Sequence, residues 1–174
     1  MHVHCILSGN GTAGIEIFED LPDVDAIVVP YGGGGFSCGI GSAMRHLKPD
    51  CKVFASEVET AAPLSASLEK GEPTTCSYTA SFVDGIGGKS VLEEMWPLVT
   101  NLLSGSIVVS LKEIADAIKL LAEKNHVIAE GAGASAVAAA LTGKAGSGNI
   151  VCCVSGGNLD TGKLIDILKD EIPK

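Results

Sequence analysis

The chain has 174 residues and a formal charge of −9, from 12 Lys and Arg against 21 Asp and Glu, which argues against nucleic acid or an anionic membrane surface as a partner. It is 46% hydrophobic and 19% charged, with only 4% aromatics, so Ala, Val, Ile and Gly must fill the interior, a mix suited to a parallel sheet covered on both faces by helices. The length fits one domain, 1–174; no apolar run approaches the ~20 residues of a bilayer crossing, and Met1-His-Val-His-Cys5 lacks the basic flank of a signal peptide, so the cytoplasm is the expected compartment.

Residues 3–7 read as a short strand or a frayed end, Gly9-Asn-Gly11 as a turn, and Thr12 as the N-cap of a helix closed by Pro22-Asp23. Asp25–Pro30 is the first clear strand. After Tyr31 come four consecutive glycines, Gly32–Gly35, and Ser37–Leu47 reads as a helix. Lys48-Pro-Asp50 is a turn and Lys52–Ser56 the next strand, parallel to the first because the connection is a βαβ crossover. Pro63 fits the first turn of a helix running to about Lys70.

The stretch from Gly71 to Lys89 is irregular and too long for an ordinary connection, so it is expected to line a site. Trp96 and Pro97 interrupt a helical pattern over 91–103. Ser106–Ser110 is a strand whose last serine caps a helix over 111–124, with Glu113 completing a capping box. His126–Ala129 is extended, Gly131–Gly133 is a loop, and 136–141 is an alanine-rich helix. Asn149–Ser155 is a strand, and a last helix spans 160–168.

Strand, glycine turn and helix together place backbone N–H groups at a helix N-terminus, where an anion can approach the main chain. A plain turn needs one or two glycines, and each further one costs about 0.5–1 kcal/mol relative to alanine in regular structure. Gly32–Gly35 therefore read as an anion cradle, best matched to a phosphate. No Gly-Lys-[Ser/Thr] follows, so it is not a P-loop. In open α/β sheets ligands sit outside the carboxyl ends of strands, which makes 32–35 and 155–157 candidates for one pocket.

Other patterns carry less. The six cysteines show no Cys-x-x-Cys and read as buried free thiols, with Cys152 and Cys153 on opposite faces of a strand. Gly35-Phe-Ser-Cys-Gly39 matches the nucleophile elbow Gly-x-Ser-x-Gly, with Asp84 and His126 in hydrolase order. The glycine run already accounts for that turn. His2, His4 and His46 read as end or surface residues.

Five motifs occur in order: Gly32–Gly35 with apolar Phe36, Phe54-Ala-Ser-Glu57, Asp84-Gly-Ile86, Glu130-Gly-Ala-Gly-Ala134 and Ser155-Gly-Gly-Asn158. This order closely resembles the threonine/serine dehydratase group, fold-type II enzymes dependent on pyridoxal phosphate (PLP) and related to serine racemase. The resemblance runs from about Gly9 onward. It implies an α/β fold, a three-layer αβα arrangement with a mostly parallel sheet, equivalent to part of the large lobe of those enzymes. It implies β-elimination of water from L-threonine or L-serine. It also implies that Gly32, Gly33, Gly34, Gly35 and Phe36 hold the cofactor phosphate. Ser155 with Gly156 would meet the pyridine nitrogen, where a neutral hydroxyl leaves the ring unprotonated, and Gly85 and Glu130 would lie near the cofactor edge.

Two departures qualify it. The family's Schiff-base lysine lies in an N-terminal Ser-x-Lys-x-Arg-type motif, and no lysine here has that context. The chain is accordingly expected to be inactive alone and to need a complementing N-terminal chain, and the apolar surface of a partial fold is expected to make it self-associate as a homo-oligomer. The competing expectation is a non-catalytic phosphate- or PLP-binding module. Racemase-like members also bind a divalent cation through a glutamate, a backbone carbonyl and an aspartate; Glu57 and Ala61 fit the first two, but Pro63 replaces the aspartate, so no metal is expected.

Overall fold

The computed structural model describes residues 2–173, with side chains from Ile6 onward. Its centre is β1 (Ala26–Pro30), buried at every position. This strand pairs in parallel with β2 (Lys52–Val58) on one side and with β4 (Ile150–Cys152) on the other, while β3 (Gly105–Val109) pairs in parallel with β2. The sheet order is β3-β2-β1-β4.

Alternation along the strands divides the core into two layers, because successive side chains point to opposite faces. Ile27, Val29 and Val53 pack with Ile40 and Met44 of α2 (Gly35–Leu47) and with Ile17 and Phe18 of α1 (His2–Asp20). Val28 points the other way, into a cluster with Ile114 and Ile118 of α5 (Leu111–Leu120) and Ala134 and Ala138 of α6 (Gly131–Leu141). The result is the expected three-layer αβα arrangement. Cys152 joins the α5–α6 side and Cys153 the α1–α2 side, as a strand reading requires.

The remaining helices begin where local chemistry starts them. In α3 (Pro63–Lys70) the proline sits in the first turn. Pro97 does the same for α4 (Trp96–Leu102), so the dipeptide that breaks the 91–103 pattern marks a start, preceded by a short 3₁₀ turn at Glu93–Met95. The Ser110–Glu113 capping box opens α5, with the Ser110 hydroxyl accepting from the Glu113 N–H and the Glu113 carboxylate accepting from the Ser110 N–H. A π turn at Leu121–Asn125 ends at His126 in the left-handed region, φ 57°. The last helix is α7 (Thr161–Leu168). Between Gly71 and Lys89 there is no helix or strand; the segment is tied by the Cys76 N–H to the Lys89 carbonyl at 2.9 Å.

Several sequence expectations fail here. Residues 3–7 are helical and Gly9-Asn-Gly11 is no turn: α1 runs unbroken through both, and Thr12 sits inside it, its hydroxyl donating to the Gly9 carbonyl at 2.8 Å. Helix α6 likewise starts at Gly131, so Gly131–Gly133 is no loop. The glycines serve close approach. A methyl at Gly14 would lie 2.9 Å from Ala43 Cβ, and one at Gly39 would lie 2.7 Å from Asn10 Cβ, so α1 and α2 touch nearly backbone to backbone. A methyl at Gly133 would lie 2.8 Å from the Gly156 carbonyl. The β4 strand is also shorter than the expected Asn149–Ser155.

Topology places the site. The chain leaves β1 through α2 to reach β2, whereas it reaches β4, on the other side of β1, only after α5 and α6. The segments that leave β1 and β4 therefore diverge at their carboxyl ends and open a crevice, the usual location of ligands in such sheets.

Candidate functional site

A cavity of about 450 Å³ lies in that crevice, bounded by Gly32–Gly35, Phe36, Gly85 and Ser155. This is within the roughly 300–1,000 Å³ of small-molecule sites. Its floor is the start of α2. Gly34 is the N-cap, at φ 86° and ψ −11°, and offers no side chain. The first helical bond runs from the Cys38 N–H to the Gly34 carbonyl at 2.9 Å, so the N–H groups of Gly35, Phe36 and Ser37 have no partner one turn back. Two other helices are closed differently: α5 has its capping box, and α3 is capped by Glu57. The first turn of α2, uncapped, faces the cavity.

The loop is specific position by position. A methyl at Gly34 would lie 3.2 Å from the Tyr31 ring and 3.2 Å from Met95 Cε, whereas one at Gly33 would meet nothing within 4 Å. Gly34 is thus held from below by a buried tyrosine and methionine, and Gly33 is open to the cavity. Tyr31 is 1% exposed, and burial raises its phenol above the ordinary tyrosine range.

Glu130 closes one side. It is the N-cap residue of α6, and its N–H donates to the Gly156 carbonyl at 3.0 Å. A methyl at Gly156 would lie 2.5 Å from Glu130 Oε1, and one at Gly85 would lie 3.2 Å from the same oxygen. The carboxylate therefore rests against both glycines, and at Gly85 a methyl would also lie 2.9 Å from Ala132 Cβ. The candidates come together: Gly32, Gly33, Gly34, Gly35, Phe36, Gly85 and Ser155 line the cavity, and the Glu130 carboxylate packs against both Gly85 and Gly156. Sequence reasoning missed Asn10 and Ile86, which also line it. Asn10 was hidden by the turn reading of its glycine neighbours.

At Glu57, the glutamate among the metal positions that the resemblance implies, the carboxylate is engaged by the protein itself. Its carboxylate is buried, and Oε1 accepts the Leu64 N–H at 2.8 Å. Oε2 accepts the Ser65 N–H at 2.7 Å and the Ser106 hydroxyl at 2.6 Å. Both oxygens thus face protein donors, and Pro63 brings no ligand. Among the described residues no group of three or more His, Cys, Asp and Glu is gathered for a metal. Burial raises the Glu57 carboxyl above its ordinary range, opposed by these three hydrogen bonds.

The hydrolase elements do not assemble. Ser37 is fully buried, and its hydroxyl donates to the Gly34 carbonyl at 3.2 Å. Among the described residues, no hydrogen bond links it to Asp84 or to the exposed His126. Cys38, Cys51, Cys76, Cys152 and Cys153 are free thiols, of which only Cys38 is fully buried; Cys5, His2 and His4 have side chains outside the described residues. No helix among the described residues is long and apolar enough to cross a membrane.

Comparison with known proteins agrees with this geometry. Residues 3–156 match the family described as pyridoxal-phosphate dependent enzyme. The chain is 38% identical to L-threonine ammonia-lyase of Thermotoga maritima over 170 residues, covering 97% of this chain and 42% of that protein. It is 36% identical to the catabolic L-threonine dehydratase TdcB of Escherichia coli over 166 residues, 93% of this chain and 50% of the relative. Among solved structures, threonine deaminase isoform 2 of Solanum lycopersicum superposes with a TM-score of 0.87 at 32% identity, over 94% of this chain and 49% of that one. Maize serine racemase gives 0.84 at 33%, over 94% and 53%. The chain spans about half the length of the curated relatives it matches. It belongs to the pyridoxal-phosphate dependent enzyme family, in fold-type II, and corresponds to the C-terminal part of its threonine ammonia-lyase and serine racemase relatives.

Proposed function

We propose that this chain forms the phosphate-binding and ring-binding side of the PLP site of a threonine or serine ammonia-lyase. The observation that carries the proposal is the meeting of Gly32–Gly35 and Ser155, distant in sequence, around one cavity at the divergence of β1 and β4. The uncapped amides of Gly35, Phe36 and Ser37 and the open position at Gly33 suit a phosphate ester. Ser155, a neutral hydroxyl in the same lining, donates one hydrogen bond to the unprotonated ring nitrogen without transferring the proton. Gly85 and Gly156 keep the ring edge clear, and Glu130 fixes that edge.

PLP bound there supplies an electron sink that acidifies the α-carbon of an amino-acid substrate. The chain's own part is to bind the phosphate, orient the ring and leave its nitrogen neutral. Removal of the α-proton requires a base, and no lysine among the described residues lines the cavity. The chain alone is therefore a cofactor-holding unit without turnover, and elimination needs residues from a complementing chain. Exposed apolar side chains near the site, Ile6 and Leu92 beside Gly33 and Gly35, offer such a partner a surface.

The test is the absorbance spectrum of purified chain after PLP addition and removal of excess, followed by borohydride reduction and mass spectrometry. Retained PLP without a fixed adduct on one lysine, and without ammonia release from L-threonine or L-serine, is the expected result. Turnover by the chain alone overturns the inactive reading, and failure to retain any PLP overturns the binding reading.

A further inference from the structure

Resting on that reading of the cavity as a phosphate-ester site, we propose that Asn10 is a further ligand of the phosphate, its side-chain amide donating to the anion held by Gly32–Gly35. Among the described side chains of α1, Asn10 lines the cavity, and it is half-buried there. Its Nδ2 lies 3.5 Å from the point where a methyl on Gly35 would stand, so the amide sits beside the first residue of α2. The carboxamide has no hydrogen-bond partner among the described residues, although a carboxamide offers two N–H donors.

The root of the side chain is fixed. A methyl at Gly39 would lie 2.7 Å from Asn10 Cβ and 2.9 Å from the Leu7 carbonyl. The close seating of α1 on α2 therefore aims the amide at the loop one turn earlier. Helix propensity does not account for asparagine at this place, because it is a poor interior helix residue. Its chemistry does fit the cavity, which has no Lys or Arg among the described residues of its lining. An anion there must be held by dipoles, and the Asn10 amide adds a neutral donor to the backbone N–H groups.

The experiment is isothermal titration of this chain with pyridoxine 5′-phosphate, which has no aldehyde to react with lysines, and with pyridoxine as the phosphate-free control. Asn10→Ala keeps the Cβ that seats on Gly39, and Asn10→Asp is isosteric, so circular dichroism is expected to show both folded. Loss of a hydrogen bond to a charged group predicts about tenfold weaker binding of the phosphate ester by Asn10→Ala. Asn10→Asp, which replaces a donor by a like charge, is expected to bind it about a hundredfold more weakly. Pyridoxine binding should not change in either variant, a pattern that a merely structural role for Asn10 does not produce. Equal affinity of wild type and both variants for the phosphate ester overturns the role of Asn10 and leaves the phosphate site standing. If wild type does not bind the ester, the phosphate site itself falls and the role of Asn10 falls with it.

Discussion

The Tyr31 ring lies 3.2 Å from the point where a side chain on Gly34 would begin, and Gly34 itself is at φ 86°. The loop is therefore constrained twice at this residue, by backbone conformation and by the wall beneath it. Gly34→Ala should cost about 1–3 kcal/mol in chemical denaturation, the scale of a residue held in an unfavourable backbone region. Gly33 has neither constraint: nothing lies within 4 Å of its added methyl. Gly33→Ala should keep its melting temperature and lose affinity for pyridoxine 5′-phosphate, since the methyl projects into the cradle. Unchanged affinity in Gly33→Ala would mean that the loop does not contact the ligand.

Glu57 takes over a task that the start of α3 cannot perform for itself. The N-cap residue is Ala62, without a capping side chain, and Pro63 has no N–H. The two amides that follow donate to Glu57, which also accepts from Ser106 of β3. Glu57→Gln leaves one acceptor oxygen and turns an NH₂ toward a donor, so a loss of about 1–3 kcal/mol is expected. Because the carboxylate is saturated by protein donors, Mg²⁺ or EDTA should not shift the melting temperature of the wild-type chain. A melting temperature that rises with Mg²⁺ would show that a cation competes for this carboxylate.

Much of this was legible because local chemistry and fold agree. The β-branched run Ile27-Val28-Val29, the four glycines, Pro63, and Ser110 with Glu113 each announce an element from within a few residues. The site's remaining parts are announced by no local signal. Gly85 and Glu130 stand out only as members of an ordered set of motifs, and the seating of the Glu130 carboxylate against Gly85 and Gly156 exists only once the fold brings these segments together. Glycines misled where their purpose was tertiary: Gly14 and Gly39 make room for a neighbouring helix, which no window of sequence contains. Asn10 was lost with them, for the same reason.

The Ser110 cap supplies a control on the opposite side of the argument. Its hydroxyl and the Glu113 carboxylate satisfy the start of α5 reciprocally, and neither residue lines the cavity. Ser110→Ala should cost about 1 kcal/mol in denaturation without altering ligand affinity. A parallel fall in affinity would mean that stability losses anywhere in the chain loosen the cradle, and would weaken any site assignment from Gly34→Ala.

Two thiols fix the alkaline behaviour. Burial pushes Cys38 up to about 11, partly offset by a hydrogen bond with Ser37, and burial with the neighbouring Cys152 pushes Cys153 up to about 12. The thiolate is the reactive form, so at pH 8 both should resist iodoacetamide in the native chain and react after unfolding. The stability sign follows from proton binding. Between the unfolded value near 9 and the shifted values, the folded chain binds more protons than the unfolded one, so stability falls as pH rises. The contribution is fully present below pH 9 and is lost as pH climbs through about 11 to 12. Denaturation midpoints measured from pH 8 to 11 should decline, and Cys38→Ala with Cys153→Ala should flatten that decline. An unchanged slope in the double variant would place the alkaline sensitivity elsewhere, with Tyr31, whose buried phenol is also raised, the next residue to replace.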